Sequence, residues 1–276
     1  MTAAHIILDS ISATGVRLTT MEVTFHRFVL SELNTHRKFS RNSASSRAIP
    51  SRKMRLCVRK DPARPISWPL EKPGMSGGAE MSGARLWATK AVWDVARFAA
   101  LGCAWVLGKL GLHKSLTNRI LESFMWHTAI ISSTEWENFF AQRCSPLAQP
   151  EIRVLAEAMR EALANSTPVL RTLHAPYIQA DEQEWVDDKK CRVSSARCGR
   201  VSYLTHAGIR DSEEDVAMFS RLISATPPHW SPLEHVASSN PNYIKKAALG
   251  NFDGWAQLRH SLPGNITDIK TAVRHG

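Results

Sequence analysis

Cysteine is scarce in this 276-residue chain, and odd in number. Cys57, Cys103, Cys144, Cys191 and Cys198 include no Cys-x-x-Cys pair. That spacing excludes a disulfide framework and a zinc ribbon, and it reads as free thiols in a reducing cytoplasm. GxGxxG, Walker and GxSxG strings are also missing, so the common dinucleotide, P-loop and hydrolase signatures do not apply. His229, Glu234 and His235 are not spaced as HExxH, and no metal site is expected. The N-terminus carries neither a basic flank nor a long apolar core, so no secretory signal is expected there and the expected location is cytoplasmic. The most apolar run, Phe98 to Gly108, is too short to span a bilayer and reads as a buried helix; no membrane contact is expected. Acidic residues are in deficit: 25 Asp+Glu face 35 Lys+Arg, a net charge of +10. The excess calls for an anionic partner, whether nucleic acid, a membrane surface or a phosphorylated small molecule.

What is present is globular. A composition 43% hydrophobic and 22% charged excludes a disordered chain, and the length suits a single large α+β domain over 1–276. Residues 16–25 alternate β-branched with polar residues and predict a strand, followed by a short helix over 26–34. Residues 35–50 are rich in Ser and Arg and predict a loop. Residues 61–83 hold Pro62, Pro65, Pro69, Pro73, Gly74, Gly77 and Gly78, which predicts a surface connection. From Ala84 a helix is expected, broken at Gly108 and buried over most of its circumference, with a polar stripe of Lys90, Asp94 and Arg97. A second helix is expected over 115–130. A third should end at Arg143, opened by a capping box at Ser132/Glu135 or Thr134/Glu137. A fourth should begin at Pro150, with Ile152, Leu155, Met159 and Leu163 on one face. Residues 165–190 read as irregular and Cys198–Tyr203 as a strand. Ser212 with Asp215 should cap a helix through Ile223. Residues 237–276 form a C-terminal extension.

The 35–50 string is dense in groups that hold phosphate. Arg37, Arg41 and Arg47 offer planar forks, Ser40, Ser43, Ser45 and Ser46 offer hydroxyls, and His36 offers a donor that titrates near neutrality. The same composition suits a nucleic-acid contact strip or a solvated basic loop, and the residues alone leave these open. Arg119 and Arg143 each sit beside apolar neighbours, where an arginine commonly snorkels. His229-x-Ser231-x-x-Glu234-His235 clusters polar groups behind Pro227 and Pro228.

Together these segments resemble the flavin-dependent thymidylate synthases. The family string RHRxxSxNExSxRY is matched by Thr35-His36-Arg37, Ser40, Asn42, Ser43, Ser45, Arg47 and Ala48. An NFLxLR block followed by AQxEI is matched by Asn138 to Arg143 and by Ala148-Gln149-Pro150-Glu151-Ile152, with Asn118-Arg119-Ile120-Leu121 upstream. ARVSY and GHxSPFEH are matched by Gly199 to Tyr203 and by His229 to His235. In the family this last block comes first, so the chain resembles a circularly permuted member. The departures are Thr35 for the first Arg, Ser43 for Glu and Ala48 for Tyr.

The resemblance implies an α+β fold in which a sheet packs with long helices. It also implies FAD as cofactor, NADPH and methylenetetrahydrofolate as co-substrates, and methylation of a deoxyuridine nucleotide, dUMP to dTMP. His36, Arg37, Asn42, Asn138, His229, Ser231 and Glu234 would contact FAD. Ser45, Arg47, Arg119 and Arg143 would hold the pyrimidine nucleotide, with Arg143 and Ser45 catalytic. A homotetramer with shared sites is implied, and nucleic acid becomes a less favoured partner. Two alternatives stand beside this reading: a related enzyme transferring hydroxymethyl to a pyrimidine nucleotide, and a basic nucleic-acid-binding protein.

Overall fold

A computed structural model of the chain describes residues 1–208, 210–239 and 250–262. It opens with an antiparallel hairpin, β1 (Ala3–Ile11) and β2 (Arg17–His26), turned at Gly15, whose φ of 82° suits glycine. A 3-10 turn at 27–29 leads into α1 (Leu30–Asn34) and then β3 (Ser40–Ser43). The expected 35–50 loop therefore contains a strand: Ser40–Ser43 finds open ladder positions against β4. Next come α2 (Ser51–Lys60), the 61–83 connection, α3 (Gly83–Lys109), α4 (Lys114–Thr117) and a 3-10 helix over 118–124. β4 (Trp126–Ser133) follows, then α5 (Glu137–Arg143), α6 (Pro150–Ala164), β5 (Val169–Leu170) and β6 (Leu173–His174). The chain continues through α7 (Asp187–Arg200), a 3-10 turn at 201–203, α8 (Ser212–Ser224), a 3-10 turn at 231–234, β7 (Ala237–Ser238) and β8 (Ala256–Gln257).

The main sheet runs β3-β4-β2-β1-β5, with β5 parallel to β1; a small sheet runs β6-β7-β8. The fold is α+β, as expected. β2 is central, and residues on both of its faces are buried. Met21, Val23 and Phe25 pack with Ile152, Leu155, Ala156 and Met159 of α6 on one side. On the other, Ile130 of β4 packs with Cys198 and Val201.

Several sequence expectations are corrected. Residues 126–130 lie in β4 rather than a helix, because the β-branched Thr128, Ile130 and Ile131 complete the sheet between β2 and β3. Ser132 is a strand residue, and neither expected capping box forms; α5 begins without a side-chain cap. Cys198–Tyr203 ends α7 and forms a 3-10 turn instead of a strand. α8 is capped by Asp211, which accepts from the amides of Glu213 and Glu214, and not by Ser212.

α3 departs furthest. The expected buried helix exposes most of its surface, with Trp87 75%, Val95 67% and Phe98 58% accessible. The full 27 residues are also long and apolar enough to cross a membrane by length and composition, which the shorter run had excluded. Of the C-terminal extension, residues 240–249 and 263–276 lie outside the described residues. Residues 250–262 do not hang free: Phe252 and Trp255 pack with Leu18 and Ala237, and Trp255 Nε1 donates to Val16 O at 3.1 Å.

Candidate functional site

A cleft of about 1340 Å³ opens beside the end of β3. Its floor is the 42–48 segment; its walls come from Arg119, from Gly199 to Thr205, from α8 and from His229 to Pro232. Segments far apart in the chain thus meet at one place.

Backbone anchors set the loop. Ala44 N donates to Thr128 O at 2.8 Å and Ser45 N to Ser202 O at 3.0 Å. The buried Asn118 donates from Nδ2 to both Ser46 O, 2.8 Å, and Ile49 O, 3.0 Å. Asn42 fastens the same loop to the late segments. Its Nδ2 donates to Cys198 O at 2.7 Å, and its Oδ1 accepts from Ser202 Oγ at 3.3 Å and Ser231 Oγ at 3.2 Å. Gly199 permits α7 to lie close to α8: a Cβ there would meet Met218 Cε at 3.3 Å and Leu222 Cδ1 at 3.4 Å.

The cleft is strongly cationic. Arg27, Arg41, Arg47, Arg119, Arg200 and Arg221 line it, and among the described residues no carboxylate does. Glu122 stands behind this wall and accepts from Ser46 Oγ at 2.9 Å, Arg119 at 2.8 Å and Arg27 at 3.2 Å. Arg47 is exposed and has no ion pair among the described residues. Arg200 is 6% exposed; its Nε donates to the fully buried Asp215 at 2.8 Å, while its Nη2 is buried and has no hydrogen-bond partner among the described residues. Asp215 also accepts from Arg197 at 2.9 Å, which fixes both guanidinium groups.

Of the residues expected in the site, Asn42, Ser45, Arg47, Arg119, His229 and Ser231 line this cleft. His36, Arg37, Asn138, Arg143 and Glu234 do not. Arg143, on α5, donates from Nε to His36 Nε2 at 3.0 Å and from Nη2 to Thr35 Oγ1 at 3.0 Å. Thr35 is therefore an acceptor for the Arg143 guanidinium. Burial, then the Arg143 and Arg41 cations, lower the His36 pKa and favour the neutral ring. Phe139 closes edge-on against that ring at 4.8 Å. Arg37 and Asn138 are exposed. Glu234 turns to Arg259 of the C-terminal segment, and burial raises its pKa against the pull of that cation.

Sequence reasoning assigned no role to Glu122 or Arg200, and gave Asp215 only a part in capping the helix through Ile223. Arg200 was visible within the Gly199–Tyr203 match. Glu122 is three residues from Arg119, but its other partners, Ser46 and Arg27, are far away in the chain, and the Asp215 partners Arg197 and Arg200 lie on another helix. No cluster of His, Cys, Asp or Glu suited to a metal exists among the described residues. The five cysteines are free.

No protein-family model and no curated protein matches the chain. Solved structures do. A UMP/dUMP methylase, PolB, from Streptomyces cacaoi bound with 5-Br UMP is 17% identical over 59% of this chain and 89% of that one, with a TM-score of 0.47. The same methylase with 5-Br dUMP gives 18% identity over 54% and 67%, with a TM-score of 0.42. Thymidylate synthase X from Helicobacter pylori, with FAD and dUMP, is 19% identical over 53% and 67%, at 0.37.

Proposed function

We propose that the chain is a circularly permuted flavin-dependent thymidylate synthase-like enzyme that transfers one carbon to the uracil ring of a deoxyuridine nucleotide, dUMP to dTMP. One observation carries the reading. The cleft draws Ser45, Arg47 and Arg119 together with Asn42, His229 and Ser231 from separate motif blocks, and presents six arginines and, among the described residues, no carboxylate. A nucleotide phosphate carries up to two charges near neutral pH, and forked guanidinium groups beside a serine hydroxyl suit it. Arg47 and Arg119 would bind the phosphate, Ser45 would orient it, and the free Nη2 of Arg200 would donate to an oxygen of the same ligand.

The residues fit FAD in two separate sets. His229 and Ser231 line the cleft and would hold one part of the cofactor. His36, Arg37 and Asn138 form a second set on the α1–α5 side and would hold another part, while Arg143 beside them would hold the pyrimidine nucleotide and act with Ser45 in catalysis. This side would be contributed to the cleft of a neighbouring copy in a homotetramer with shared sites. Bound FAD would supply the redox chemistry, with NADPH as reductant and methylenetetrahydrofolate as carbon donor. Asn42 is committed to Cys198 and to the two serines, so its part is to hold the loop rather than to touch a ligand. The chain's own work is placement and charge: the arginine wall holds the nucleotide's phosphate while neutral His36 buttresses Arg143.

Flavin uptake tests the cofactor and mass spectrometry of the product tests the reaction. Protein incubated with dUMP or UMP, labelled methylenetetrahydrofolate and NADPH should give the methylated nucleotide. A hydroxymethylated product would assign the alternative transfer. Colourless protein that takes up no FAD, and whose DNA affinity falls steeply with salt, would replace the proposal with a nucleic-acid binder.

A further inference from the structure

α3 is inside out. Between Val92 and Val106 its only charged residues, Asp94 and Arg97, turn toward the body of the protein: Arg97 Nε donates to Asp94 Oδ1 at 3.0 Å, and Arg64 Nη2 donates to Asp94 Oδ2 at 2.7 Å. Ala100 and Ala104 pack inward in a cluster with Met54, Val58 and Leu121. The outward face is apolar, with Val92, Val95, Phe98, Trp105 and Val106 between 46% and 68% exposed.

This face has a register. Exposed positions 88, 92, 95, 99, 102 and 106 alternate by four and three residues, the spacing of a helix-pairing seam. Beside an antiparallel copy of itself, centred at the level of residue 97, Val92 falls opposite Gly102, Val95 opposite Ala99 and Val106 opposite Ala88. Each pair sets one valine against one small residue, so the seam keeps an even width. A parallel copy would stack valine on valine and small on small, leaving gaps. A Cβ at Gly102 would meet nothing within 4 Å, so the small side of the pairing is open. The seam runs about 27 Å at 1.5 Å per residue. It stops at Arg85 and Lys109, which oppose each other at either end. A bilayer asks for no matched volumes, and spanning one would draw Asp94 and Arg97 into hydrocarbon.

We infer that α3 is the surface through which two copies of this chain pair, helix against helix and antiparallel, about a two-fold axis at the level of residue 97. The pairing does not depend on what the cleft binds.

Cross-linking in the full chain tests it, with Cys57→Ser and Cys103→Ser removing the exposed native thiols. Val92→Cys together with Gly102→Cys should oxidise to a covalent dimer on a non-reducing gel. Neither single variant should, because like positions lie about 15 Å apart along the axis. Cross-linking by Val92→Cys alone would overturn the antiparallel arrangement. Val95→Glu should halve the mass in sedimentation velocity and leave the far-ultraviolet circular dichroism spectrum unchanged, since the side chain is exposed in the single chain, while the thermal midpoint falls only by what pairing contributes. An unchanged mass in Val95→Glu and no cross-link in the double variant would overturn the pairing. So would flotation of the wild type with phosphatidylglycerol vesicles that Val95→Glu abolishes without altering mass, which would assign the face to a bilayer.

Discussion

Arg47 and Arg119 line the same cleft but start from different states. Arg119 is held by Glu122, whereas Arg47 has no ion pair among the described residues. Arg47→Ala should therefore cost the larger share of dUMP affinity, roughly tenfold to a hundredfold for a lost charged hydrogen bond, as read by calorimetry. Equal binding by wild type and Arg47→Ala would remove it from the site. His36 reports on Arg143 in another way. Burial is the main cause of its lowered pKa and the Arg143 cation the next, so Arg143→Ala should move the ring's titration upward in an NMR pH series. An unmoved or lower pKa would show that the pair is not coupled. Asp215 carries the heaviest structural duty. Fully buried, it holds Arg197 and Arg200, and Asp215→Ala would leave both without it. A loss of about 3 to 5 kcal/mol in denaturant unfolding is expected, and a near-neutral change would contradict the assignment.

Among the elements, the strands and small sheet bury a chain of polar groups. Ser10 Oγ meets His174 Nδ1 at 2.8 Å, His174 Nε2 meets Thr20 Oγ1 at 2.8 Å, Thr20 meets Ser132, and Ser132 Oγ meets His235 Nδ1 at 2.8 Å. Burial pushes both rings down to about 3, so they are neutral in the folded protein. In the unfolded chain they titrate near 6.5. Their contribution to stability is complete above that value and is lost as pH falls from about 6.5 toward 3, because only the unfolded state takes up the protons. The thermal midpoint should fall over that window; a flat midpoint between pH 7 and 4 would show that the rings are already charged when folded. Elements with their own periodicity, β2 and α6, were legible in the sequence. β4 was not: its Ser-Ser-Thr end looks like a helix start, and only β2 and β3 on either side make it a strand. α3 showed its apolar residues but not their direction, because the Arg64–Asp94 ion pair that helps turn its charges inward joins residues 30 positions apart.

For the molecule as a whole, six arginines gather at one cleft, but Arg27 and Arg119 share Glu122, Arg200 is paired with Asp215 and Arg221 with Glu214. Only Arg41 and Arg47 bring charge there without an ion pair among the described residues, and most of the net charge of +10 lies elsewhere. The site was half legible. The motif blocks named Ser45, Arg47, Arg119, His229 and Ser231, and folding brings them together. The same blocks named His36, Asn138 and Arg143, which fold onto the α1–α5 side, because a motif records residue type and spacing but not where the fold carries each block. Glu234 was named by its place in the His229 to His235 match, but the C-terminal segment that supplies Arg259 has no counterpart in the motifs. The most direct test of the proposal is mass spectrometry of the nucleotide formed from dUMP by FAD-loaded protein with labelled methylenetetrahydrofolate and NADPH. The proposal predicts dTMP carrying the label; unchanged dUMP from protein that takes up no flavin would contradict it.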